Sequence, residues 1–212
     1  MSRRRPPRPP GSNTNSLPGL TEQGWKVHLF LPDFHLNIMD HIKSLIRTIP
    51  NFPKPGIMFR DVTTLFQDAE GFKKTIEIMA RHYRNEQIDV VVGIESRGFI
   101  LGAPLAVELN AGFVPVRKPG KLPGDKVGVE YDLEYGTDRL EIHTNALKKG
   151  QRVLLVDDLI ATGGTMAAAC HLVEQLGGVV AGLGFLVELV DLKGRQKLSQ
   201  YPIYKMVDFE GD

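Results

Sequence analysis

The sequence lacks most of the features that mark secreted, membrane-embedded or nucleic-acid-binding proteins. Its single cysteine, Cys170, excludes an internal disulfide, indicates a reducing, cytoplasmic location, and falls inside a predicted helix as a buried, inert thiol. No apolar run approaches the length of a membrane span. Residues 1–38 hold 5 of the 26 basic and 2 of the 25 acidic side chains, which leaves 21 against 23 in residues 39–212. That balance offers nucleic acid no basic surface, so we expect neither a nucleic-acid nor a membrane partner.

Residues 1–38 differ in composition from the rest of the chain. Arginine, proline, serine, asparagine and glycine predominate in residues 1–20 and offer too little apolar surface to offset the entropy of ordering. A small basic arm for nucleic acid or anionic lipid is one interpretation. The simpler one is that translation starts at Met39 and that the preceding residues are an upstream reading or a cloning remnant. We predict a disordered extension over 1–38 and one domain over 39–212.

Strands and helices alternate along residues 39–212. This alternation predicts an α/β fold: a doubly wound, mostly parallel sheet with flanking helices. The segments rich in proline and glycine between these elements add a small hood and a flexible catalytic loop to the prediction. Hydrophobic periodicity predicts strands at 89–95, 113–118, 153–156, 178–189 and 204–207, and helices at 40–49, 68–83, 96–110 and 166–176.

The segments between these elements receive separate predictions. Asp40 and Asp68 are candidate helix N-caps, and Pro50 is expected to end the first helix. Residues 51–66 are predicted as a loop with short extended pieces, and residues 119–131 as a mobile loop. A hairpin is expected to turn at Gly136, Thr137 and Asp138.

The most informative stretch is RVLLVDDLIATGGTM, residues 152–166. A strand buried on both faces leads to two carboxylates at the strand end, where open α/β sheets bind ligands. The loop that follows offers N–H groups and two hydroxyls at a helix N-terminus, an arrangement that binds phosphate. The carboxylates can accept hydrogen bonds from ribose hydroxyls; the alternative is an ordinary strand–turn–helix. The predicted ribose 5-phosphate site comprises Asp157, Asp158, Ala161, Thr162, Gly163, Gly164 and Thr165.

A second polar turn, GIESRGF, follows the predicted strand at 89–95. Helix-start N–H groups and the guanidinium of Arg97 suit a diphosphate, because an arginine can bind phosphate oxygens in pairs. Taken alone, a helix capped by Ser96 with Arg97 on its surface explains this turn equally well.

Residues 52–61, FPKPGIMFRD, mix proline, glycine and aromatic residues in a way that is unusual for a core segment. Phe59 can stack on a planar ligand, while the backbone around Met58 and Arg60 donates and accepts hydrogen bonds at the ligand's edge. The alternative is a surface loop with Phe59 in the core.

Two further stretches, VRKPGKLPG and YDLEYGTDRLEIH, place charged residues near glycines. Arg117, Lys118 and Lys121 on a flexible loop can close over a diphosphate and exclude water. Glu134 is the carboxylate best placed for proton handling; the alternative is a solvated glutamate on a strand face.

Together these five motifs resemble the adenine phosphoribosyltransferase family, in its order and at about its spacing, and the resemblance extends from residue 40 to about residue 209. The D-D…T-G-G-T loop marks the type I phosphoribosyltransferases, and FPKPGI-x-FRD with LEYG narrows the resemblance to adenine. Met58 stands where the family commonly has a small aliphatic residue. The resemblance also implies a non-proline cis peptide at Glu95–Ser96 and a homodimer in which basic residues act across the interface.

The implied reaction is adenine + 5-phosphoribosyl 1-diphosphate (PRPP) → AMP + diphosphate, a step of purine salvage, with Mg²⁺ as cofactor. Magnesium is expected on substrate oxygens, with Asp157 or Asp158 reaching it through water. Arg97 and Glu134 are the implied catalytic residues. The alternatives are transfer to hypoxanthine, guanine, xanthine or orotate, and a non-catalytic PRPP-sensing regulator. The implied diphosphate-binding residues are Glu95, Ser96, Arg97, Arg117, Lys118 and Lys121, and the implied adenine-binding residues are Met58, Phe59 and Arg60.

Overall fold

The computed structural model describes residues 32–132 and 136–211, with side chains from Ile38 onward except that of Asp132. Most of the predicted extension over 1–38 lies outside the described residues. Asn37–Asp212 is one compact unit. Within the described ranges, no helix has the length and apolar character that crossing a bilayer requires.

A five-stranded sheet forms the centre of this unit. All neighbouring strands in it are parallel. The strand Val90–Ile94 is buried along its whole length, as expected for a sheet that is covered on both faces. The predicted α/β fold is therefore confirmed. The strand order is β4 (Gly112–Val116), β3 (Val90–Ile94), β7 (Arg152–Ile160), β8 (Val179–Leu189) and β9 (Ile203–Phe209).

Helices cover both faces of the sheet. The adjacent residues Leu154 and Leu155 point to opposite faces, as successive strand residues do, and each belongs to a separate buried core. The helices are α1 (Pro32–Ser44), α2 (Thr63–Gln67), α3 (Ala69–Tyr83), α4 (Arg97–Glu108) and α5 (Gly164–Gln175), with 3-10 helices at Val190–Leu192 and Gly194–Leu198. Leu154 shares its core with α3 and α4, whereas Leu155 shares its core with α5.

The first helix differs from its prediction at both ends. α1 begins at Pro32, so Asp40 lies inside it and is not its N-cap, and it ends at Ser44 instead of continuing to Pro50. Residues 47–50 are a strand, because pairing with a second strand satisfies their backbone groups and two of the four residues are β-branched.

That strand, β1 (Arg47–Pro50), pairs antiparallel with β2 (Met58–Asp61) and forms the hood. An ion pair of 2.5 Å joins Arg47 to the buried Asp61, which also accepts hydrogen bonds from the hydroxyl and backbone N–H of Thr63. The predicted loop with short extended pieces over 51–66 is therefore confirmed as far as Asp61, with β2 as an extended piece, and is wrong from Thr63, where α2 begins.

A separate hairpin joins β5 (Lys126–Asp132) to β6 (Thr137–His143). It confirms the predicted hairpin. The expectation of a mobile loop through residue 131 is wrong, however, and so is the assignment of Thr137 and Asp138 to the turn, because both are strand residues. The missed signal is the period-two alternation of Val127, Val129 and Tyr131, whose side chains pack toward the α5 core.

Asp68 supplies the N-cap predicted for α3: its carboxylate accepts a 2.7 Å hydrogen bond from the N–H of Gly71. We predict that Asp68→Ala lowers the free energy of unfolding by about 0.5–2 kcal/mol, because a helix-start N–H loses its acceptor. Asp68→Asn keeps an acceptor and should stay close to wild type. Urea unfolding measures both variants, and equal losses in the two would contradict the capping role.

Candidate active site

The centre of the sheet is a topological switch point. The chain runs from β3 to β4 in one direction and from β7 through β8 to β9 in the other. β3 and β7 are neighbours and pair as far as Gly93 and Val156. In open α/β sheets a ligand-binding crevice forms outside the carboxyl ends of strands at such a point. The turn that carries Arg97 and the end of β7 that carries the two aspartates therefore meet at one edge.

β7 is longer than the sequence indicated. It was expected to end at Val156, but it continues to Ile160 by pairing with β8. Asp157 and Asp158 are therefore strand residues, and the pairing with β3 ends just before them. The strand backbone, rather than a loop, fixes the two carboxylates at the edge of the crevice.

The cavity loop, which runs from Ala161 to Thr165, bounds a cavity of about 190 Å³ at the N-terminus of α5. Sites that enclose a whole small ligand typically have about 300–1,000 Å³, so this cavity suits one end of a ligand. Gly163 has a left-handed φ of 78°, which glycine adopts without steric cost, and α5 begins at the next residue. The first N–H groups of a helix have no acceptor within it and attract anions. The lining residues are Arg97, Asp157, Asp158, Leu159, Ile160, Ala161, Thr162, Gly163, Gly164, Thr165, Met166 and Phe185.

The two aspartates share a poorly hydrated position. Asp158 is only 4% exposed and Asp157 is half-buried. Burial raises the pKa of both carboxyls, and the charge of Asp158 raises the pKa of Asp157 further. Asp157 Oδ1 accepts a 3.0 Å hydrogen bond from the Asp158 N–H. Oδ2 of Asp158 is buried as well, and its charged partner is Arg97.

Arg97 lies between the aspartates and the hood. Its Nε is 2.7 Å from Asp158 Oδ2, an ion pair whose positive charge opposes the rise in the pKa of Asp158. Its guanidinium carbon is 5.5 Å from the centre of the Phe59 ring, within the range of a cation–π contact. Phe59 in turn meets the ring of Phe52 edge to face, with 5.2 Å between ring centres.

The three hood residues differ in their surroundings. Met58 and Phe59 are half-buried, whereas Arg60 is 8% exposed. The Arg60 guanidinium donates to Thr48 Oγ1 and to the backbone oxygen of Glu210, both at 2.9 Å. Its side chain therefore joins the hood to the end of the chain.

The turn after β3 contacts the basic loop, residues 117–121. The Glu95–Ser96 peptide is cis, as the family resemblance implied. Glu95 accepts two hydrogen bonds of 3.2 Å from the Arg117 guanidinium and one of 2.9 Å from the Lys118 backbone N–H. Burial acts to raise the pKa of Glu95, but these bonds outweigh it and hold the pKa below its ordinary value. Arg117 also donates to the backbone oxygen of exposed Lys121 at 3.1 Å, so Glu95 positions Arg117 and the loop beyond it.

Lys118 is held by the hairpin. Its ammonium donates to the Tyr131 hydroxyl at 3.0 Å and forms an ion pair with Asp138. Burial acts to lower the pKa of Lys118, but these partners outweigh it and the pKa is raised. Thr165 Oγ1 donates to the same Tyr131 hydroxyl at 3.4 Å, so Tyr131 stands between the basic loop and the cavity loop.

Glu134 lies outside the described residues. Within the part of the chain that the structure describes, no group of three or more histidine, cysteine, aspartate and glutamate side chains is arranged to hold a metal ion. Cys170 is buried in α5, and burial raises its pKa to about 12, which confirms the expected inert thiol.

Five residues at this site lie outside the predicted set, and one of them, Met166, directly follows the predicted loop. Leu159 and Ile160 line the cavity. They are the apolar pair directly after the aspartates, and they fall outside the predicted site because the sequence predicts that the strand ends at Val156. Phe185 pairs with Asp157 across β7 and β8, and Gly194 touches the cavity loop from a later segment. Those two positions depend on long-range strand pairing, which local sequence does not show.

The parallel sheet, the loop over residues 161–165 and the pair Asp157 and Asp158 define the chain as a phosphoribosyltransferase. The chain matches the phosphoribosyl transferase domain family over residues 61–211. Adenine phosphoribosyltransferase from Chlorobaculum parvum is 60% identical over 175 residues, which are 81% of this chain and 99% of that protein. The chain belongs to the adenine phosphoribosyltransferase family.

Solved structures agree with this assignment. The crystal structure of adenine phosphoribosyltransferase from Thermoanaerobacter pseudethanolicus has a TM-score of 0.79 and 52% identity, and covers 81% of this chain and 99% of its own. The Saccharomyces cerevisiae enzyme, complexed with an imino-altritol bisphosphate and adenine, has a TM-score of 0.78 and 43% identity, with 81% and 99% covered.

We predict that Asp157→Asn raises the free energy of unfolding of the ligand-free protein at pH 7. The amide keeps the acceptor for the Asp158 N–H and removes a charge that burial disfavours. Because the pKa of Asp157 in the folded state is above the ordinary 3.8, the folded state holds its proton more tightly than the unfolded state. Wild-type stability should therefore fall as pH rises from 3.8 through the folded-state pKa.

Urea unfolding of both proteins across a pH series measures this difference. The gap between variant and wild type should be widest above the folded-state pKa and should close below pH 3.8. Asp40→Asn, at an exposed carboxylate in α1, is the matched control. A variant that is less stable than wild type at neutral pH would refute the prediction.

Proposed function

We propose that the crevice between β3 and β7 transfers the 5-phosphoribosyl group of PRPP to N9 of adenine, giving AMP and diphosphate. The supporting observation is the convergence, at one edge of the sheet, of an anion-binding loop, two acceptor carboxylates and an arginine stacked on an aromatic hood. These groups suit a sugar 5-phosphate, ribose hydroxyls, and a diphosphate beside a planar base. Adenine in the crystal of the yeast relative supports the choice of base.

The cavity loop binds the 5-phosphate in this proposal. Ala161 to Thr165 offer helix-start N–H groups and the hydroxyls of Thr162 and Thr165 to the phosphate oxygens. Asp157 and Asp158 accept hydrogen bonds from the two ribose hydroxyls, and the position of both residues in the wall of the cavity supports this role. Since both carboxylates are fixed by the strand, the sugar is oriented before reaction.

The leaving diphosphate lies between the β3 turn and the basic loop. Arg97 and the N–H groups at the start of α4 bind it from one side, and Arg117, Lys118 and Lys121 bind it from the other. Ser96 is exposed at the start of α4 and contributes its hydroxyl, whereas Glu95 keeps Arg117 in place. As negative charge grows on the diphosphate, these cations stabilise it more than they stabilise bound PRPP.

Adenine stacks on Phe59 in the hood, and the backbone at Met58 and Arg60 reads its edge. N9 attacks C1 of the sugar from the face opposite the diphosphate, so the N9–C1 bond forms while the C1–O bond breaks. The electron pair of that bond leaves with the diphosphate, and configuration at C1 inverts. Glu134 takes the proton released from the base or stabilises the positive sugar electrostatically.

Magnesium fits this site as an ion carried by the substrate. Asp157 and Asp158 are oxygen donors of the kind that Mg²⁺ prefers, and both line the cavity. When bound, the ion neutralises charge on the diphosphate and so makes it a better leaving group.

We also propose a cytoplasmic homodimer that acts in purine salvage, with the activity carried by residues 39–212. The outer side of α4 presents Ile100 and Val107, which are 42% and 80% exposed and seven residues apart on one helix face. A second copy that covers this face would remove both from water. The lone cysteine suits a reducing compartment.

A panel of bases tests the reaction. Purified protein with PRPP and Mg²⁺ should form AMP from adenine and no nucleotide from hypoxanthine, guanine, xanthine or orotate, as followed by chromatography of the products. Turnover of a 6-oxopurine would overturn the hood assignment while keeping the ribose phosphate site. PRPP binding without turnover of any base would favour the regulator.

We predict that Glu134→Gln lowers kcat by about 100-fold or more, the usual contribution of a positioned acid or base. The KM for PRPP should change little, because the residue is not assigned to PRPP binding. Glu130→Gln, at a glutamate on β5 whose side chain is 72% exposed, should retain wild-type rates. Steady-state kinetics with adenine and PRPP gives both constants; an unchanged kcat in Glu134→Gln would remove that residue from the mechanism and leave the reaction standing.

A further inference from the structure

We propose that Gly194 is a positioning residue for the cavity loop, residues 161–165. The absence of a side chain at Gly194 lets the loop hold the shape that binds a sugar 5-phosphate. This inference rests on the proposed role of the loop as the 5-phosphate site.

Gly194 meets the loop backbone to backbone. A Cβ atom on Gly194 would come closer than 3.0 Å to the backbone oxygen of Ala161 and to the side chain of Ile160. In the opposite direction, a Cβ on Gly163 would lie 2.5 Å from the backbone oxygen of Gly194. Real Cβ atoms do not tolerate such separations, so a side chain at either position forces one of the two segments to move. Gly163 is the N-cap of α5, so its movement would displace the anion-binding N–H groups.

The segment that carries Gly194 is anchored on both sides. Arg195 Nε lies 2.7 Å from both carboxylate oxygens of Glu188, which is 6% exposed. Glu188 belongs to β8 and pairs with Ile160 of β7, so this ion pair is tied to the sheet. Leu198, at the other end of the same 3-10 helix, is fully buried in the α5 core. The loop, by contrast, borders the cavity and can yield into it.

The substitution Gly194→Ala isolates this contact. Gly194 does not have a left-handed φ, so alanine is not strained by its own backbone there, as it would be at Gly163. Gly112 in β4 offers the matched control, since it too lacks a left-handed φ and the nearest atoms to its added Cβ lie at 3.8 Å. Gly112→Ala therefore changes glycine to alanine without a clash.

Calorimetric titration with AMP, ribose 5-phosphate and magnesium diphosphate tests the proposal. The first two carry a 5-phosphate and the third does not. Gly194→Ala should weaken binding of AMP and ribose 5-phosphate by about 10- to 100-fold, the scale expected when binding groups shift by about 1 Å, and leave diphosphate binding unchanged. In steady-state kinetics, the KM for PRPP should rise while the KM for adenine stays constant. Loss of folded protein alone would lower kcat and leave both KM values unchanged.

Arg195→Ala provides a second, independent variant in case Gly194→Ala does not fold. It removes the anchor and keeps the glycine, so it should produce the same selective loss with a smaller size, about threefold to tenfold, and Arg195→Lys should restore part of it. Wild-type affinities in folded Gly194→Ala, or equal losses for AMP and diphosphate, would overturn the positioning role. Failure of wild-type protein to bind AMP, or unchanged AMP affinity in Thr165→Val, would instead overturn the proposed phosphate site and the inference with it.

Discussion

The site depends on the close approach of α4 to the end of β7, the strand that pairs with β3. A Cβ atom on Gly98 would lie 2.6 Å from the backbone oxygen of Val156, so glycine at this position allows the helix start to reach the strand. That approach places Arg97 against Asp158 at 2.7 Å. A larger residue would separate the helix from the strand, and with them the groups proposed for diphosphate and sugar.

The same closeness explains why two neighbouring carboxylates occupy an unfavourable position. Burial and the charge of Asp158 raise the pKa of Asp157 and oppose folding, and the charge of Arg97 offsets part of the rise at both carboxyls. Such groups concentrate at functional sites, because a desolvated acceptor binds a ligand donor more strongly than one that water already satisfies. The two carboxylates thus lower the free energy of unfolding at the position where hydrogen bonds to the proposed sugar would be strongest. Arg97 serves both needs, since its other contact is with Phe59 in the hood.

Much of the fold and of the candidate site could be predicted from the sequence, because the fold class and the motifs show as local sequence patterns. Apolar runs identified the parallel strands, and the N-cap at Asp68 followed from one residue type before a periodic segment. The errors occurred where pairing with a distant strand decides the outcome: β1 depends on β2, and β7 extends to Ile160 because β8 lies beside it. Gly194 carries no local signal, as its importance comes from a contact with a loop about thirty residues earlier.

The hairpin shows how one such distant element joins two parts of the site. Glu141 of β6 exchanges backbone hydrogen bonds of 2.9 and 2.7 Å with Arg117, and its carboxylate accepts a bond from the Gly120 N–H at 3.3 Å. Tyr131 of β5 contacts both Lys118 and Thr165 through one hydroxyl. The basic loop and the cavity loop therefore reach each other through the hairpin as well as through the sheet. The sheet therefore fixes the carboxylates, whereas the hairpin holds Arg117 and Lys118 of the basic loop, so the two sides of the crevice are held by separate elements.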